Sequence, residues 1–128
     1  TETELLIRDA VERLMEGRTS IVISREADFH TGHTQVAVAT SLDKALSIAG
    51  HADCEQDQLF IIGGAAIYEL ALPRADRLYY TRVKAVVEGD VYFPEINWQE
   101  WTLQESSHHF QDEFDDFDHD FEIYHRKR

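Results

Sequence analysis

Leu59-Phe60-Ile61-Ile62-Gly63-Gly64-Ala65-Ala66-Ile67-Tyr68-Glu69-Leu70-Ala71-Leu72-Pro73 is the stretch on which the fold turns. Leu59 to Ile62 is a continuous apolar run, the pattern of a strand buried on both faces. Gly63-Gly64 then leads the chain into an apolar helix, Ala65 to Leu72, and Pro73 follows its end. A helix start offers unpaired N–H groups and a positive dipole end, and glycines let a phosphate come close to the backbone. Two glycines between strand and helix also serve as a plain tight turn, so this unit alone leaves both readings open.

Upstream of it, Ile7, Ala10, Val11, Leu14 and Met15 repeat at helical period and predict a leading helix within residues 1–16. Thr1 and Glu4 have capping-box spacing, and Gly17 is placed to end that helix. Ser20 to Ser24 is a β-branched run of strand length. A polar loop, Arg25 to Gln35, separates it from a second short strand at Val36 to Ala39. Ser41 is a good N-cap for a helix over Leu42 to Ala49, with Gly50 as its stop. His51 to Gln58 is a polar connection.

Downstream, Leu78 to Val83 reads as a strand. Two longer strands, near Trp101 to Phe110 and Phe117 to Arg126, flank an acidic turn and predict an antiparallel hairpin. Strands alternating with helices and then a closing hairpin predict an α/β fold: one domain over residues 1–128, with a mixed β-sheet and flanking helices. No internal repeat and no Gly/Ser linker interrupts it.

Composition narrows the classes of function. Hydrophobic residues make up 43% of the 128 and aromatics 11%, enough for a packed core. The formal net charge of −13 opposes binding to a nucleic-acid backbone or an anionic membrane. The charge is uneven: residues 104–122 hold eight acids and no base. Cys54 is the only cysteine, so neither a disulfide framework nor a cysteine-based zinc site is expected, and a cytoplasmic setting fits. Thr1-Glu2-Thr3-Glu4 lacks the basic start and apolar run of a signal peptide. The longest apolar stretch, Leu59 to Tyr68, is about half of the ~20 residues that a membrane-spanning helix needs.

The order of several blocks adds what no single block carries. Ile61-Ile62-Gly63-Gly64-Ala65-Ala66-Ile67-Tyr68, then Ala71-Leu72-Pro73-Arg74-Ala75-Asp76-Arg77-Leu78-Tyr79-Tyr80-Thr81, resembles the cofactor side of the dihydrofolate reductase family. Glu88-Gly89-Asp90-Val91-Tyr92-Phe93-Pro94 and Phe121-Glu122-Ile123-Tyr124 resemble it too. So do Gly17-Arg18-Thr19-Ser20-Ile21-Val22-Ile23-Ser24-Arg25-Glu26 and Ser41-Leu42-Asp43-Lys44-Ala45-Leu46. The resemblance runs from Gly17 to the end of the chain.

It implies reduction of dihydrofolate to tetrahydrofolate with NADPH, and roles for particular residues. Gly63-Gly64 matches a glycine pair with a cis peptide bond beside the NADPH pyrophosphate. Ala65, Ala66 and Ile67 match positions that offer backbone N–H groups there, and Tyr68 a tyrosine beside the nicotinamide. Ser24 and Arg25 match residues at the adenosine 2′-phosphate, where a guanidinium suits phosphate oxygens. Arg18 matches the arginine that grips the glutamate carboxylate of folate, Ile62 an apolar substrate neighbour, and Thr81 a threonine linked to the pterin side.

Residues 1–16, read as one helix that matches the family's helix just before Gly17, stand in place of a longer segment that opens the family. Nothing in them matches its first strand, closing loop or catalytic carboxylate, so no catalytic residue is assigned and the expectation is a fold incomplete at that side and inactive alone. Losing central strands exposes sheet edges, so self-association is also expected. Two other readings remain: a nucleotide-binding or interaction module without catalysis, and a riboflavin-synthesis-type pyrimidine reductase. The Gly89-Asp90 to Pro94 block and the Tyr124 ending speak against the latter. Asp112 to Asp120 offers oxygen ligands for a hard cation but lacks the glycine and ligand order of an EF-hand loop, so a solvated turn and no metal site are expected.

Overall fold

In a computed structural model, residues 13, 20–23, 36–51 and 58–128 are described. Arg13 is helical; the other residues of the expected leading helix, together with Arg18, Ser24, Arg25 and Cys54, lie outside the described residues. The chain divides into two compact units, residues 1–60 and 61–128.

In the first unit, β1 (Ser20–Ile23) and β2 (Val36–Ala39) pair in parallel, with Ser20 opposite Val36 and Ile23 opposite Ala39. Helix α1 (Leu42–His51) follows at once. Ser41 caps it as the sequence predicts: its Oγ accepts the Lys44 N–H at 3.1 Å and its carbonyl the Ala45 N–H at 3.0 Å. Asp43 in the first turn suits the positive dipole end. Ala39, Leu42 and Ala45 are buried, which fixes the face that α1 turns inward. The helix runs past Gly50 to His51, because Gly50 does not take the left-handed conformation that would have ended it.

The residues on either side of the boundary between the units depart from expectation. Residues 58–64 form no strand, and Leu59, Phe60 and Ile62 are exposed, Ile62 to 69%. An apolar run becomes a strand only where a neighbour completes the ladder, and this run belongs to neither described sheet. Helix α2 (Ala65–Ala71) follows, and a 3₁₀ turn, Leu72–Arg74, takes the place of its expected last residue. Pro73 explains the change, since it has no N–H for a further α-helical turn.

Strands β3 (Arg77–Val83), β4 (Trp101–His109) and β5 (His119–Arg126) make an antiparallel sheet in the order β3-β5-β4. Leu78 stands opposite Tyr124, and His109 opposite His119; a bulge lies between Leu103 and Glu105. The hairpin strands are shorter than predicted because side chains take over at the turn. Asp112 Oδ1 accepts the Phe114 and Asp115 N–H groups at 2.8 and 2.9 Å, and Asp118 Oδ1 that of Gln111 at 2.7 Å.

Alternation puts Leu78, Tyr80 and Arg82 on one face of β3, with Tyr79, Thr81 and Val83 on the other. Leu78, Trp101 and Tyr124 form the core on the first face, with Leu72, Ala75, Tyr80 and Ile96 packed around them. Between β3 and β4, a 3₁₀ turn at Trp98–Glu100 is capped by Asn97, whose Oδ1 accepts the Gln99 N–H at 3.3 Å.

Candidate functional site

The site that the sequence singles out lies between residues 61 and 68. The Gly63–Gly64 peptide bond is cis, as the resemblance implies. Gly63 has φ of +120°, a conformation that a residue with a Cβ rarely adopts, so glycine is required there for its backbone. Gly64, at φ −82°, is the N-cap of α2.

The carbonyl of Gly64 accepts two amides, Ile67 N–H at 3.0 Å and Tyr68 N–H at 2.9 Å. Of the three amides expected to be on offer, that of Ile67 is therefore engaged within the turn. Ala65 and Ala66 keep N–H groups with no hydrogen-bond partner among the described residues. No acid stands in the first turn to offset the positive end of the helix. The local electrostatics thus favour a negatively charged group, despite the acidity of the chain as a whole.

Tyr68 lies against this turn. A Cβ built on Gly63 would meet Tyr68 Cε2 and its hydroxyl oxygen at 3.5 Å, ordinary contact distance. The tyrosine ring rests on Phe93, centroids 4.9 Å apart and planes tilted by 49°. Phe93 meets Tyr80 edge-on at 6.1 Å, Tyr80 meets Trp98 at 5.5 Å, and Trp98 meets Tyr124 at 4.8 Å. A run of rings therefore joins the glycine turn to the core of the sheet, in arrangements that aromatic quadrupoles favour.

Arg82 closes the far end of that run. Its guanidinium lies 5.1 Å from the Tyr80 ring centroid and 5.5 Å from that of Trp98, and its Nε donates to Glu122 Oε1 at 3.0 Å. Glu122 is buried, so the arginine supplies the charge that burial demands. Burial pushes the Tyr124 phenol up, with the Arg82 hydrogen bond acting against that shift.

The remaining assignments separate. Ile62 is exposed beside the glycines. Thr81 is exposed on the face of β3 away from Tyr80 and the Leu78 core, opposite Phe121. Phe93, Tyr80, Trp98 and Arg82 carry no role in the sequence reading. Their relation to Tyr68 depends on contacts between distant segments, and no local pattern marks it.

The acidic hairpin is a turn whose carboxylates serve backbone and side-chain donors. His108 Nδ1 lies 2.5 Å from Asp120 Oδ1, and Lys84 Nζ 2.8 Å from Asp120 Oδ2. His109, on the other side of the strand, stacks on His119 at 5.2 Å. Among the described residues no group of three or more His, Cys, Asp or Glu side chains is arranged to hold a metal ion. Among them, too, no helix is long and apolar enough to cross a membrane.

Comparison with known proteins decides the family. The dihydrofolate reductase family model matches residues 8–126. This chain belongs to the dihydrofolate reductase family. It is 32% identical over 119 residues to dihydrofolate reductase of Haemophilus influenzae, covering 93% of this chain and 70% of that protein. It is 42% identical over 103 residues to dihydrofolate reductase type 3 of Salmonella typhimurium, covering 78% and 59%. The solved structure of dihydrofolate reductase from Enterococcus faecalis, complexed with NADP(H) and RAB-propyl, matches with a TM-score of 0.69 at 31% identity. That match covers 88% of this chain and 64% of the other.

The chain thus spans about two thirds of the length of these family members. As a dihydrofolate reductase-like protein it has the mixed α/β fold with an antiparallel sheet.

Proposed function

We propose that this chain forms the cofactor-side wall of an enzyme that reduces dihydrofolate with NADPH, within a single domain of the dihydrofolate reductase type. The observation that carries the proposal is the Gly63–Gly64 turn: two amides with no partner among the described residues, at Ala65 and Ala66, stand beside Tyr68 with no acid in the first helical turn to repel an anion. These groups suit a pyrophosphate, which takes backbone N–H donors and needs a backbone it can approach closely. Ile67 lends shape there, its own N–H being engaged.

Tyr68, braced by Phe93, is placed to bound a flat ring next to the glycines. Ser24 and Arg25 would hold a 2′-phosphate and Arg18 the carboxylate of the substrate. Ile62 would line the substrate side and Thr81 the pterin side. NADPH, when bound, supplies the hydride. The protein's contribution is to orient the two rings and to keep water from them.

Two further expectations belong to this reading. Outer edges of β3 and β4 have no pairing strand among the described residues, which supports self-association. The single cysteine supports a cytoplasmic setting.

Titration with NADPH, followed by thermal shift and calorimetry, tests the cofactor site. Saturable stabilisation, stronger for NADPH than for NADH, is the expected result. Equal and negligible shifts for both nucleotides would overturn it. NADPH oxidation with dihydrofolate then measures the reaction itself.

A further inference from the structure

Helix α2 is seven residues long and has no side-chain cap at its start and no basic residue in its last turn. A helix this short has little stability of its own, and its last carbonyls need partners from elsewhere. The C-cap residue Leu72, whose carbonyl already accepts the Ala75 N–H at 3.2 Å, takes a second donor from the far end of the second unit. Arg126 Nη2 donates to Leu72 O at 2.6 Å across 54 residues of sequence, and Arg126 Nε to Ala75 O at 2.8 Å. Its backbone N–H donates to Asp76 O at 2.9 Å, and its Nη1 to Glu100 Oε2 at 3.2 Å.

The guanidinium lies 4.4 Å from the centroid of Trp101, a core residue 5% exposed. One planar group therefore reaches the helix end, the connection to β3 and the 98–100 turn at the same time. A lysine, with one nitrogen, has no such fork. A cation at this end also suits the negative pole of the helix.

We infer that Arg126 is a positioning residue for the Gly63–Tyr68 element: it fastens α2 to the sheet from its C-terminal end and so sets where Tyr68 and the glycine turn stand. The part concerning cofactor rests on the function proposed above; the fastening itself does not.

Amide hydrogen exchange on the full chain without nucleotide tests the fastening. In R126A the Ile67, Tyr68 and Leu72 amides should exchange about tenfold faster, the effect of losing charge-assisted hydrogen bonds. The amides in the middle of β5, Phe121 to Ile123, should stay near the wild-type rate. Equal acceleration of helix and sheet would reduce Arg126 to a general stabiliser, and unchanged helix amides would remove the role; either result overturns the inference. R126K keeps the charge and the stem over Trp101, so it covers the case in which R126A does not fold. It should show the same selectivity with a smaller effect, and wild-type exchange in its α2 would overturn the requirement for the fork.

NADPH titration below the unfolding range is the separate arm. An R126A dissociation constant raised about tenfold supports positioning, at roughly 1.4 kcal/mol. A constant equal to that of the wild type overturns the cofactor part. Absence of binding by the wild type would overturn the proposed function and leave the exchange result to decide the fastening.

Discussion

Tyr68 covers Gly63: a Cβ on that glycine would lie 3.5 Å from the tyrosine's Cε2 and hydroxyl. The contact itself leaves room for a methyl group, so the demand for glycine comes from its φ of +120°. Gly63→Ala should therefore destabilise the protein by about 1–3 kcal/mol, the range for a side chain forced into a sparsely populated backbone region. Gly64→Ala should cost less, because φ is −82° and nothing lies within 4 Å of an added Cβ. Urea denaturation of the two variants checks the order, which equal costs would contradict.

Leu78 is the aliphatic member of the core trio with Trp101 and Tyr124. Leu78→Ala should cost about 2–4 kcal/mol, the transfer of the lost methyl groups plus the cavity they leave. Leu103 is an instructive control, since it faces Tyr124 in the sheet register yet is half exposed. Leu103→Ala should lower the urea midpoint much less.

Local chemistry accounts for what could be read from the sequence, and distance along the chain for what could not. The Ser41 cap, the β1 and β2 runs and the hairpin are written in neighbouring residues, and the structure has each of them. Leu59 to Ile62 is different: its hydrophobicity is local, but pairing into a sheet is not, and the run belongs to neither described sheet. The site divides the same way. The Gly63-Gly64 turn and Tyr68 are consecutive and legible. Phe93 against Tyr68, and Arg126 on Leu72, are set by tertiary packing that no spacing rule encodes.

Glu122 is buried and its carboxylate receives Arg82 Nε at 3.0 Å. Arg82→Met keeps much of the stem's packing but leaves a buried carboxylate without its charge partner. The cost should be about 1–3 kcal/mol, the penalty for an unsatisfied buried polar group. Adding Glu122→Gln to that variant should recover part of the loss, since the stranded charge is then gone. A double-mutant cycle in urea measures the coupling, and strictly additive losses would show that the pair does not act together.

Asp120 joins three segments: it accepts from Lys84, which follows β3, and from His108 on β4, while itself standing on β5. The Lys84 hydrogen bond, and after it that of His108, hold its carboxyl below the usual carboxylate range. A carboxyl depressed in the folded state binds its proton more weakly there than in the unfolded chain. Its contribution is therefore fully present above the unfolded value, about 3.9, and is lost as pH falls through the lower folded value. Asp120→Asn should accordingly lower the melting temperature at neutral pH, and the gap from wild type should close as pH drops below about 4. Since Lys84 and His108 are partly exposed, raising the salt concentration at pH 7 should narrow the same gap. Melting curves across pH and ionic strength check both, and a gap that stayed constant in acid would remove the carboxylate's charge as its cause.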